Sequence, residues 1–93
     1  MTNPVSEDAT PAFARGVRLR LDQARGAWVL LGPERLFLPD EHALEVLKLV
    51  DGERSLGAII DDLAARFAAP REEIAGDVAA LLADVANKGA VTL

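Results

Sequence analysis

The sequence predicts a small α+β domain in which a three-stranded antiparallel sheet precedes three helices. Three observations predict it. Apolar and charged residues alternate just after residue 17, two further short apolar runs are punctuated by glycine and proline, and from residue 40 onward the apolar positions recur at steps of three and four. Ninety-three residues fit one domain, and Leu, Val, Ile and Phe together supply 28 of them, enough to drive folding. Seventeen more of the apolar residues are alanine, which bury little surface, so the core is small and leaves no room for a sizeable catalytic cavity.

Residues 1–16 contain Pro4, Pro11 and several small polar residues without an apolar period, and are expected to be a flexible N-terminal segment, with the folded unit spanning 17–93. Val17-Arg18-Leu19-Arg20-Leu21 has the period of a strand with one buried face. Asp22 to Gly26 supply turn residues, and Trp28-Val29-Leu30-Leu31 form a second strand that is apolar on both faces. After Gly32-Pro33, a third strand over Glu34 to Leu38 is stopped by Pro39, whose missing donor favours a position at the sheet edge. Asp40 is an N-cap for a helix carrying Ala43, Leu44, Leu47 and Val50, with Asp51-Gly52 as its stop. Ser55 caps a second helix, whose stripe is Leu56, Ile59, Ile60, Leu63 and Phe67. Pro70 opens a third helix carrying Ile74, Val78, Leu81, Leu82 and Val85, which closes at Lys88-Gly89. Helices two and three, joined by the short stretch 68–70, suit a winged helix-turn-helix-like arrangement.

Charge tests what such a domain would bind. The third helix from Arg71 to Lys88 has two cations against Glu72, Glu73, Asp77 and Asp84, a net −2 and the wrong sign for facing phosphates. The strand half, Val17 to Pro39, has four arginines against two acids, whereas Asp40 to Leu93 has five cations against eleven. Cysteine is absent, which removes disulfides, thiolate metal sites and cysteine nucleophiles. The one histidine, His42, lacks partner ligands at helical spacing, and Ser6 and Ser55 lie in a tail and a cap. Asp61-Asp62 and Glu72-Glu73 point about 100° apart on their helices and form no acid/base dyad. No apolar run approaches the roughly 18 residues of a membrane span and no secretory signal is present, so the expected location is cytoplasmic.

What remains is a binder of protein or peptide. An edge strand at Glu34 to Leu38 offers unpaired backbone groups to an extended peptide, and Val78, Leu81, Leu82 and Val85 of the third helix would form the other wall. The same four residues also read as ordinary core, which the pattern alone favours. A winged-helix DNA binder and a generic docking module stand as alternatives.

Gly16-Val17-Arg18-Leu19-Arg20, Val29-Leu30-Leu31-Gly32-Pro33-Glu34-Arg35, Val50-Asp51-Gly52, Ile59 to Phe67, and Asp77-Val78 with Leu81 and Leu82 closely resemble, in order and spacing, the PqqD family. The resemblance runs from about Val17 to Val91. It departs at Gly32, where many relatives have an aromatic residue, and at Pro39, where relatives tend to have an apolar one. PqqD-like proteins are the peptide chaperones of pyrroloquinoline quinone biosynthesis and the prototype of a recognition domain for ribosomally made, modified peptides. The resemblance implies a non-catalytic protein without cofactor or metal. It would bind the precursor peptide PqqA and present it to PqqE, a radical S-adenosylmethionine enzyme. By position, the backbone of Glu34, Arg35, Leu36, Phe37 and Leu38 would pair with the peptide, Val78, Leu81, Leu82 and Val85 would flank it, and Asp77 would contact it.

Overall fold

The structure, a computed structural model, describes residues 6–33 and 35–93. Its elements are β1 (Ala12–Phe13), β2 (Arg18–Asp22), β3 (Ala27–Leu31), β4 (Leu36–Phe37), α1 (Glu41–Leu47), α2 (Leu56–Phe67), α3 (Arg71–Asn87) and β5 (Val91–Thr92). The expected three-stranded antiparallel sheet is present in the order β2-β3-β4, and three helices follow it. Leu19 pairs with Leu30, and Leu30 in turn with Phe37, so these three residues lie in one row on the face turned toward the helices. Leu30 joins Val46, Leu47, Leu56, Ile59, Ile60, Leu63, Val78, Leu82 and Val85 in one core, against which Leu19 and Phe37 pack.

Local chemistry sets the helix boundaries. Asp40 accepts the Ala43 N–H at 2.8 Å and Ser55 the Ala58 N–H at 3.1 Å, as N-caps should. Helix α1 ends at Leu47, short of the expected Asp51-Gly52 stop. Asp51 instead closes its own turn, its Oδ1 accepting the N–H groups of Glu53 and Arg54 at 2.9 and 2.8 Å. Those two bonds hold the Asp51 carboxyl below its ordinary pKa. Phe67, expected on the buried stripe of α2, occupies its last turn and is half exposed.

The packed structure begins earlier than Val17. Residues 1–5 of the expected flexible segment lie outside the described residues, but from Ser6 the chain is tied down. Its β1 pairs with β5 in a second, two-stranded antiparallel sheet. The physical reason lies in α2, whose first amides have no partner within the helix. The Leu56 and Gly57 N–H groups donate to the carbonyls of Ala9 (2.8 Å) and Glu7 (2.9 Å). Arg71 then clamps the segment from α3, donating to both Glu7 carboxylate oxygens (2.7 and 3.2 Å) and, through Nε, to Asp61 at 2.6 Å.

That clamp predicts a pH effect with a definite sign. Hydrogen bonding to Arg71 holds the Glu7 carboxyl below its ordinary value. Stabilisation from a depressed carboxyl is fully present above the ordinary carboxylate range and is lost as pH falls through the native value. Corrected for intrinsic rates, hydrogen exchange at Leu56 and Gly57 should therefore accelerate in acid relative to Ala58, which is held by Ser55. The effect should be small, because the pair is exposed, and should fade with salt. An equal response in Glu7→Gln would refute the assignment.

Candidate functional site

Alternation along β4 determines which backbone groups are free. Gly32 N–H donates to the Arg35 carbonyl at 2.8 Å, and Leu30 pairs with Phe37, so the N–H and C=O groups of Arg35 and Phe37 face β3. Those of Leu36 therefore face away, into open edge, and one more step of the same alternation turns Leu38 the same way. Carried to residue 39, the alternation puts the missing donor of Pro39 on the β3 side, in keeping with a ladder that ends at Phe37. The side chains divide correspondingly. Phe37 packs on the core, while Leu36 and Leu38 are 41% and 62% exposed.

Helix α3 reaches this strand with one end only. At its C-terminal end Lys88 stands over the Phe37 ring, 6.0 Å from its centroid, and a cavity of about 230 Å³ opens between Pro33, Arg35 and Phe37 on one side and Lys88, Gly89 and Ala90 on the other. Toward its N-terminal end a larger cleft of about 430 Å³ separates α3 from α1 and the end of α2. Val46, Leu63, Phe67, Ile74, Val78 and Leu81 give that cleft an apolar floor, and Asp40, Glu45 and Asp77 line it as well.

The sequence-predicted site residues fall into three groups. Arg35, Leu36, Phe37 and Leu38 form or adjoin the β4 edge, and Asp77 and Leu81 line the cleft. Val78, Leu82 and Val85 are 2%, 0% and 9% exposed and belong to the core cluster, although Val78 also reaches the cleft floor. Glu34 lies outside the described residues. The outer flank of α3 instead runs through exposed Asp77, partly buried Leu81, exposed Asp84 and the C-cap Lys88 at steps of 4, 3 and 4, with Lys88 paired to Asp84 at 3.0 Å. Asp84 and Lys88 stand outside the site residues that the sequence predicts, where Lys88 is only a cationic helix end. The signal for them is their helical spacing from Asp77. Among the described residues no group of three or more His, Cys, Asp or Glu side chains is placed to hold a metal ion, and no helix is long and apolar enough to cross a membrane.

The arrangement offers free strand edge, an apolar floor and charged groups of both signs, the features with which a protein holds an extended peptide. Comparison with known proteins points the same way. The family model described as Coenzyme PQQ synthesis protein D (PqqD) matches residues 27–91. A protein of Bradyrhizobium diazoefficiens named PqqA binding protein is 52% identical over 88 residues, covering 95% of this chain and 85% of the relative. A protein of the same name from Gluconobacter oxydans is 46% identical, covering 90% and 88%. Among solved structures, the NMR structure of the PqqD truncation of Methylobacterium extorquens PqqCD superimposes with a TM-score of 0.80 at 38% identity, covering 98% of this chain and 97% of that one. It is described as a functional, stand-alone recognition element for ribosomally synthesized and post-translationally modified peptides. The crystal structure of PqqD from Xanthomonas campestris gives a TM-score of 0.61 at 44% identity, with 96% and 99% covered. On the family match and these identities, the chain belongs to the PqqD family.

Proposed function

We propose that this protein is a non-catalytic peptide chaperone of pyrroloquinoline quinone biosynthesis. It binds the precursor PqqA as an added strand on β4 and presents it to the radical S-adenosylmethionine enzyme PqqE. The observation that carries the reading is the open β4 edge, with the Leu36 backbone turned outward and Lys88, at the end of α3, over the neighbouring Phe37 ring. The names of the relatives support PqqA as the peptide. Backbone pairing supplies affinity with little regard to sequence, while the cavity at Lys88 and the cleft at Leu81 select side chains. The peptide contacts are assigned to Arg35 through Leu38 and to Asp77 and Leu81. Val78, Leu82 and Val85 hold that wall from behind.

The test is an NMR titration of labelled protein with synthetic PqqA. Saturable shifts should concentrate at Arg35–Leu38 and along Asp77, Leu81, Asp84 and Lys88. The sheet has a second open edge, at the backbone of Leu19 and Leu21 on β2. Shifts confined to that edge would move the site, and flat spectra in both the absence and the presence of PqqE would overturn the reading.

A further inference from the structure

The side of the sheet turned away from the helices is not the polar surface that an exposed antiparallel sheet normally presents. Register places Arg18, Leu31 and Leu36 in one cross-strand row of that face. Arg20 and Val29 form the next row, which Leu38 continues one step beyond the ladder. Each row thus runs from an arginine on β2 to an exposed leucine at β4. Val29 is 1% exposed yet stands outside the helix-side core, so its cover comes from this outer layer. A depression of about 470 Å³ at the β2 side of this layer is lined by Arg20, Leu21, Asp22, Gln23, Val29 and Leu31. Among the described residues neither Arg18 nor Arg20 forms an ion pair. The acid on the same face, Asp22, is engaged by its own turn and by Arg25 at 3.2 Å.

A central strand that is apolar on both faces reads as one covered on both sides. From this we infer that the outer face of the β2-β3-β4 sheet is a protein-docking surface, and that its occupant is an acidic-rimmed apolar patch on the processing enzyme. Two arginines along one edge of an apolar surface call for carboxylates along the matching edge of an apolar partner surface. A second copy offering this same face would bring two arginine pairs into one interface, which charge disfavours. The inference rests on the proposed function and deepens it. A peptide added at β4 extends each outer row by one residue, so the enzyme would meet Leu36, Leu38 and alternate peptide side chains on one continuous surface.

The test compares wild type, Arg18→Glu/Arg20→Glu and Arg18→Lys/Arg20→Lys by calorimetric titration with PqqA alone, with PqqE alone and with both. Both arginines are exposed, so the fold should tolerate the changes. The glutamate variant should keep its PqqA affinity within about twofold and lose PqqE affinity at least tenfold, and the lysine variant should retain most of it. PqqE binding unchanged in the glutamate variant overturns the inference, as does self-association of the wild type that this variant abolishes without changing PqqE binding. Failure of the wild type to bind PqqA would count against the proposed function, while the PqqE titration alone still judges the docking face.

Discussion

Replacing Leu36 by proline should abolish tight peptide binding while leaving the sheet paired. The substitution removes an N–H that points to open edge and none that bonds to β3, because only Arg35 and Phe37 face inward. In a complex built by strand addition it deletes one intermolecular hydrogen bond and leaves a peptide carbonyl facing a proline ring. Together these cost roughly 2–3 kcal/mol, or about 30- to 150-fold in Kd. Phe37→Pro is the informative contrast. It breaks the ladder bond to Leu30 and removes an aromatic ring packed on the core, at a cost of about 3–5 kcal/mol in stability. A domain of this length has only about 5–14 kcal/mol in all. Circular dichroism and thermal melts should show Leu36→Pro folded and Phe37→Pro strongly destabilised. A folded Leu36→Pro variant with wild-type affinity would remove β4 from the mechanism.

The second large effect separates two neighbouring leucines of α3. Leu82 is fully buried among the core residues, and Leu82→Ala should cost about 2–5 kcal/mol, shifting the denaturation midpoint by a large fraction of its value. Leu81 is only partly buried, packing against the core from the cleft beside Asp77 and Val78, so Leu81→Ala should cost less than Leu82→Ala, about 1–2 kcal/mol of stability. It should weaken PqqA severalfold instead. Stability measured by urea titration and affinity measured by calorimetry should therefore respond oppositely to the two changes. If Leu81→Ala alters stability alone, α3 is scaffold only.

These two residues also show how far the sequence could be read. The spacing of Ile74, Val78, Leu81, Leu82 and Val85 defines a helix with an apolar side, but adjacent positions point about 100° apart, and an apolar stripe does not declare which of its flanks meets a neighbouring strand. The sequence pattern consequently groups core and cleft residues together. Strands β2 and β3 were legible from their alternation and punctuation, and α2 from Ser55 and its stripe, because those signals are local. Strands β1 and β5 were not, since two residues carry no period and their pairing spans nearly the whole chain. Likewise, nothing local marks Glu7 as the partner of Arg71, 64 positions away. The edge character of β4 was legible from Pro39, whereas the outward turn of the Leu36 backbone required the register.

The measurement that most directly tests strand addition is amide hydrogen exchange at β4, followed residue by residue with and without saturating PqqA. The Leu36 and Leu38 N–H groups should become strongly protected in the complex, while Phe37, already bonded to β3, should change little. Saturable binding that leaves Leu36 and Leu38 exchanging as fast as in the free protein would contradict the account.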